Sequence, residues 1–294
     1  ARLRRTLLGR AQQAASSSAS GRKVALWSQF GGAWVNKDGD GNSADIHSSG
    51  YEFIAGIEFN PTETLKLGLA GGTSHSDVTL RRRASSADID AVFGALYASA
   101  AFGRVTLRGG ASYSDLDTDT ERSIDYRSLQ DELKASSSGS VKQAFAEAGY
   151  AVKLGAGQIE PFAGFNAVWL KGKRFAETGE AAALNGSSRS QAYGWTSAGV
   201  RAVVGNPDAS VIGRAKIAWE HATSDIDVAS RVAFAAGGDS FLVQGTPLSR
   251  DNVNLEAGLE WRATSAFSLG AGYTGIIGSR GEDHSVRASA TLRF

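Results

Sequence analysis

The chain of 294 residues contains no cysteine, no methionine and only 4 prolines. Without thiols there is no disulfide framework, no cysteine nucleophile and no cysteine-ligated zinc or iron–sulfur site. Excess charge is lacking too: 31 Lys and Arg against 30 Asp and Glu leave +1, so no global field draws the chain toward nucleic acid. No apolar run reaches the ~18 residues a transmembrane helix needs. Cofactor and metal sites are not expected. The mean hydropathy of −0.19 reads as soluble. One count departs from that picture: 36 glycines in 294 residues, well above the usual ~7 %.

The first twenty residues differ from the rest. They carry Arg2, Arg4, Arg5 and Arg10, no acid, and an excess of Ala, Leu and Gln, all good helix formers. The apolar run is too short and too interrupted for a signal peptide. A basic amphipathic helix over 1–20 is expected, with a polar stop from Ser16 to Gly21 and a second unit over 21–294.

From Val24 onward the apolar period is two. Within 254–262, Leu255, Ala257, Leu259 and Trp261 share a face opposite Glu256, Glu260 and Arg262. Tyr51, Phe53, Ala55, Ile57 and Phe59 alternate with Glu52 and Glu58. Val286, Ala288, Ala290, Leu292 and Phe294 alternate with Arg287, Ser289, Thr291 and Arg293. About twelve such segments succeed one another, near 24–36, 47–60, 64–76, 87–101, 104–116, 141–154, 158–171, 190–204, 210–222, 251–262, 266–277 and 284–294.

The connections alternate long and short. Short ones include Asn60–Glu63, Phe102-Gly103, Gly155–Gly157, Gly205–Asp208 and Ala263–Ser265; long polar ones fall near 37–46, 77–86, 117–140, 172–189, 223–250 and 278–283. Tight turns at one end and long loops at the other characterise an outer-membrane barrel, and a soluble sandwich has no reason to keep that order.

Face chemistry agrees. Trp34, Phe53, Phe59, Tyr97, Tyr113, Trp169, Trp219, Trp261, Tyr273 and Phe294 fall on the apolar face, several near strand ends where an aromatic girdle lies. The other face carries Glu52, Glu58, Lys66, Asp90, Arg104, Arg108, Glu147, Lys153, Glu160, Arg201, Arg214, Lys216, Glu220, Glu256, Glu260, Arg262, Arg287 and Arg293. Unpaired charges at that density do not form a dry core; they line a wet lumen. The expected fold is all-β: a 12-stranded antiparallel transmembrane barrel with the N-terminal helix inside the pore. Some eighteen helical residues span ~27 Å, close to the ~25 Å apolar band, and the helix arginines would meet lumen acids. The rival placement for the helix is the membrane surface.

Several stretches resemble the translocator (β) domain of type V secretion autotransporters: IEPFAGFNAVWL (159–170), FAETGEAAALNG (175–186), YGWTSAGVRA (193–202) and GGDSFLVQGTPLSRDNVNLEAGLEW (237–261), in that order. The resemblance covers about the whole chain. It implies a Gram-negative outer-membrane location, contact with lipids and lipopolysaccharide, and a secreted passenger joined upstream of Ala1. Residues 159–202 look most like translocators of subtilisin-like protease or related virulence passengers. The resemblance also implies assembly by the outer-membrane barrel machinery and periplasmic chaperones, with Val286, Ala288, Ala290, Leu292 and Phe294 as the assembly signal. A monomer is expected. Some members cleave themselves at an asparagine of the pore helix; no asparagine precedes Asn36 here, so that chemistry lacks its nucleophile.

Other motifs have plainer readings. Gly270–Gly275 matches G-x-G-x-x-G, but a strand follows where a dinucleotide site needs a helix. Gly238-Asp239-Ser240-Phe241 resembles an esterase nucleophile block without a suitably placed histidine. Asp38, Asp40, Asn42 and Asp45 look like a calcium loop, yet Ser43 and Ser49 replace the required Gly and Glu. Arg81-Arg82-Arg83 reads as a solvated loop or a contact to lipopolysaccharide phosphates. His221 near a strand end leaves a barrel hydrolase open as an alternative, beside a porin or passive channel.

Overall fold

The computed structural model describes residues 2–17, 23–39, 44–80, 84–126, 129–155, 157–205 and 209–294. Twelve long strands carry the fold: β1 (Val24–Lys37), β2 (Ile46–Phe59), β3 (Leu65–Leu80), β4 (Ser85–Phe102), β5 (Val105–Tyr126), β6 (Leu129–Tyr150), β7 (Gly157–Gly172), β8 (Arg189–Val204), β9 (Val211–Ala222), β10 (Asp251–Arg262), β11 (Phe267–Gly278) and β12 (Gly281–Arg293). Each pairs antiparallel with its sequence neighbours. β12 returns to β1 in a ladder from Ala25↔Arg293 to Lys37↔Gly281. The sheet therefore closes, and no strand edge is left for the hydrocarbon to meet.

Local chemistry sets the tight end. Gly103 turns β4 into β5 with φ at +62°, a conformation a side chain disfavours. In two other turns a threonine hydroxyl accepts the backbone N–H three residues on, Thr62 from Leu65 at 3.1 Å and Thr264 from Phe267 at 2.9 Å. The outer wall is apolar and open, with Phe53, Trp169 and Trp261 each about half exposed (48 %, 47 % and 52 %). Such a surface needs lipid around it.

Three stretches expected as long loops are instead continuations of the ladder. β3 runs to Leu80 and β4 starts at Ser85, β11 and β12 are joined across Ser279 and Arg280, and β5 and β6 extend for 22 residues each. Beyond the membrane neither face of a hairpin meets lipid, so the apolar alternation that marks a strand thins out while the hydrogen-bonded pairing does not. Cross-strand charge holds this part together. Lys134 donates to Glu121 at 2.8 Å, and that bond holds the ammonium's pKa above its ordinary value. The expected loops at 172–189 and 223–250 also contain short strands, Phe175–Ala176, Leu184–Gly186, Val228–Phe234 and Phe241–Gly245, forming a small four-stranded sheet. It is tied to the β5–β6 hairpin by Arg122 forked onto Glu177 (2.8 and 2.6 Å) and by Leu133 packing on Ala182 and Ala183.

The helix α1 (Arg2–Ser17) lies inside the barrel against β3, β4 and β5. At 1.5 Å per residue its 16 residues are about 24 Å long. Leu7 and Ala11 are fully buried among Trp27, Ile54, Phe93, Tyr97 and Phe145. Tyr97 therefore corrects an expectation: it points into the lumen (2 % exposed), not onto the lipid wall. Both faces of β4 are apolar here, since Val92 and Leu96 face out while Phe93 and Tyr97 face in. Alternation alone cannot tell in from out on such a strand.

Candidate functional site: the charged lumen

The helix is fastened at its N-terminal turn and at its middle. Close to the tight-turn end, Glu58 is 2 % exposed and accepts four hydrogen bonds. Arg10 gives two, from Nε (2.9 Å) and Nη2 (2.8 Å); Lys66 gives one at 2.5 Å; the Tyr97 hydroxyl gives one at 2.8 Å. Trp27 Nε1 donates in turn to the Tyr97 oxygen at 3.0 Å, and Arg10 lies 4.8 Å over the Trp27 ring. Arg10 also reaches Thr291 Oγ1 at 2.9 Å. The Tyr97 ring lies against the wall only because residue 68 is glycine; a Cβ there would run into the ring.

Toward the loop end, Arg4 donates to Glu220 at 2.6 Å. Arg2 and Arg5 approach Asp283 at 3.8 and 3.7 Å. Glu52 faces Arg2 and Arg5 across a small cavity. A second cavity of about 70 Å³ lies beside Arg5, Arg10, Lys216 and Glu256, large enough for water. The lumen is thus charged on most sides, with one apolar patch where Leu7 and Ala11 pack on the wall, and the helix runs with Arg2 toward the long-loop end and its C-terminus toward the entry of β1.

Other wall charges pair with each other. Arg108 forks onto Glu160 (2.6 and 3.0 Å) and reaches Glu147 at 3.4 Å; Arg201 pairs with Glu147 and approaches Glu160 at 3.5 Å. Two arginines and two glutamates, all below 8 % exposure, close a neutral ring on β5, β6, β7 and β8. Glu256 takes Lys216 at 2.6 Å, with Arg287 at 4.0 Å. Glu260 gathers Arg214 (3.1 Å), Arg293 (3.4 Å) and Arg262 (3.5 Å). Arg104 departs from the expectation. It has the parity of Arg108, but β5 starts at Val105, so Arg104 falls in the turn and is exposed. Lys153 likewise stands exposed on a short strand (Val152–Leu154) at the tight end, and Asp90 faces outward beside His75, 2.9 Å away.

Asp283, the partner of two helix arginines, was hidden in a stretch that reads as loop; its parity with Arg287 was the available signal. On β12, Val286, Ala288, Ala290, Leu292 and Phe294 face outward, and Phe294 N–H donates to Val24 C=O at 2.9 Å, at the seam. Gly270–Gly275 lies within β11 and continues as strand. Ser240 receives Arg231 at 3.3 Å, while His221 Nδ1 lies 2.8 Å from Asp251. Asp40, Asn42, Arg81, Arg82, Arg83 and the expected helix stop beyond Ser17 lie outside the described residues.

Known proteins match this arrangement. A profile of the autotransporter β-domain family fits residues 26–274. Two extracellular serine proteases of Serratia marcescens are 29 % and 28 % identical over 270 residues, which is 91 % of this chain and 26 % of theirs. The chain thus spans about a quarter of the length of these relatives. Among solved structures, the translocator domain of autotransporter NalP from Neisseria meningitidis has a TM-score of 0.78 at 18 % identity, covering 99 % of this chain and 96 % of that one. The transport unit of the autotransporter AIDA-I from Escherichia coli has a TM-score of 0.61 at 16 % identity, covering 92 % and 90 %. At those identities the structural likeness speaks to the fold.

Proposed function

The chain belongs to the autotransporter β-domain family, and on that premise we propose that it is the unit through which a passenger joined ahead of Ala1 reaches the cell surface, α1 then occupying the pore. The barrel resides in the Gram-negative outer membrane. The observation that carries the reading is Arg10 buried on Glu58 inside a closed barrel, with Arg2, Arg4 and Arg5 meeting acids at the loop end. A helix so oriented delivers whatever precedes it to the outer side. The length of the Serratia relatives leaves room for a passenger, and their names suggest a serine protease.

Residues 1–20 act as the plug and 21–294 as the wall. The wall charges keep the pore hydrated and hold the helix. β12 serves as the handle for the assembly machinery and periplasmic chaperones, and its lipid-facing side chains meet outer-membrane lipids. The unit works as a monomeric transporter and not as an enzyme. Helix α1 holds no asparagine for self-cleavage in the pore, so passenger release uses another protease or happens outside this chain. A passive channel would need an empty lumen, which Arg10 and Leu7 fill.

The test is single-channel conductance in planar bilayers, full chain against a variant lacking residues 1–20. Conductance should rise sharply on deletion; equal conductance refutes the plug. A folded reporter fused ahead of Ala1 should become protease-accessible on intact cells.

A further inference from the structure

The register aligns one group of outward side chains. Tyr113 on β5 pairs with Lys142 on β6, Lys142 with Trp169 on β7, and Trp169 with Ala192 on β8. From the tight end, Val105, Tyr150, Pro161 and Val200 form the corresponding bottom row, eight residues lower on each strand. Nine residues per strand is what a tilted strand needs to cross the apolar band. Tyr113 and Trp169 therefore mark the outer girdle, and Lys142 stands level with it. The next outward row is Asp115, Ser140, Lys171 and Ser190. One row further, Lys173 N–H donates to Ser138 C=O at 2.9 Å.

Lys142, Lys171 and Lys173 thus form an exposed outward column just above the hydrocarbon edge, interleaved with serine hydroxyls. None of the three has an ion-pair partner among the described residues. Asp115 and Asp117 stand on β5, across the β6 serines from Lys171 and Lys173, and Asp115 takes the Tyr113 hydroxyl at 2.8 Å. Between these strands opens a cleft of about 660 Å³ lined by Lys171, Lys173, Arg189 and the serines, with Asp115 and Asp117 on its β5 side and Lys142 just outside it.

From this placement we propose that the outer rim of β6, β7 and β8 is a binding site for the phosphate groups of lipopolysaccharide, the anionic lipid of the outer leaflet. The inference rests on the membrane location of the barrel. The chemistry is complementary at three levels. Acyl chains meet the apolar wall below Trp169. The lysine stems lie along that boundary, with their ammonium groups at headgroup depth. Ammonium and hydroxyl donors then face phosphate oxygens.

The test compares the full chain with Lys142→Gln/Lys171→Gln/Lys173→Gln in nanodiscs. Binding is read for intact lipopolysaccharide and for lipopolysaccharide stripped of its phosphates. Each lysine near an anionic surface contributes roughly fivefold, so the triple variant should bind intact lipid on the order of a hundredfold more weakly. Lys→Arg at the same positions should restore binding. Lys134→Gln/Lys153→Gln/Arg231→Gln removes the same charge elsewhere and should have little effect. Equal binding by the triple variant, or equal binding of the stripped lipid, overturns the proposal. Competition by millimolar inorganic phosphate alone overturns its assignment to a lipid. Heat-modifiable migration in lipopolysaccharide-free vesicles reports insertion separately, so a barrel that fails to insert is distinguished from one that fails to bind.

Discussion

Replacing Glu58 by glutamine keeps the side-chain volume and removes the charge that two buried cations share. Arg10 and Lys66 would then face a neutral amide in a site 2 % exposed. Breaking a buried ion pair costs about 3–5 kcal/mol, and the nearby cavities admit water, which places the cost near the lower figure. A loss of ~3 kcal/mol is a factor on the order of 150 in an equilibrium. Part of it belongs to the wall, because Lys66 is on β3, and part to the docked helix. A double-mutant cycle with Arg10→Gln separates the two. Arg10 gives Glu58 two charge-assisted bonds, worth ~1.5–3 kcal/mol between charged groups. The coupling should be about 2 kcal/mol, a shift of roughly 30-fold toward the undocked helix. Open probability in planar bilayers reads that shift directly, with the 1–20 deletion as the fully open reference. The reasoning fails if the coupling is below ~0.5 kcal/mol, or if Glu58→Gln lowers the unfolding temperature of the barrel yet leaves conductance unchanged.

Three further outcomes are expected. Glu147→Gln leaves Arg108 and Arg201 to share Glu160; it should destabilise the barrel by ~3 kcal/mol in urea titration without raising conductance, because that ring does not hold the helix. Gly68→Ala should push Tyr97 off the wall and weaken Glu58's hold on the helix, seen as increased open probability with the fold intact by circular dichroism. Phe294→Ser should slow insertion by the purified assembly machinery, measured as the rate at which heat-modifiable barrel appears; an unchanged rate removes β12 from the handle role.

Legibility of the sequence followed the solvent. Where one face meets lipid and the other water, as at 51–59, 254–262 and 286–294, alternation marked strand and face together. It failed where that contrast vanishes. In 117–140 neither face meets lipid: the outer is wet, and the inner is covered only over Asp131, Leu133 and Ala135, so the apolar contrast is thin and two long strands read as a loop. On β4 both faces are apolar, so Tyr97 was turned to the wrong side. The basic helix and the acids Glu52 and Glu58 were readable from charge alone, but pairing was not. Glu147 stands on the lumen face of its strand as Glu58 does, yet only the closed ring shows that the former binds wall arginines and the latter a helix arginine. Asp283 escaped because it stands at the outermost end of β12, in a Gly-Glu-Asp run that resembles a turn.

The spacing of the helix contacts has a consequence for depth. Arg4 and Arg10 are six residues apart, so they project about 240° apart around the axis and ~9 Å apart along it. Each ends on its own acid, Glu220 or Glu58, on strands well separated around the barrel. Such an arrangement fixes rotation and insertion at once, like a key cut on two sides. One alanine inserted between Leu8 and Gly9 would turn one end by ~100° against the other, so that satisfying Glu58 abandons Glu220. In the export role proposed above the helix would work as a gauge: the depth at which Arg4 and Arg10 lock sets where its N-terminus stands relative to the rim, and a change of its length by a single residue resets that point.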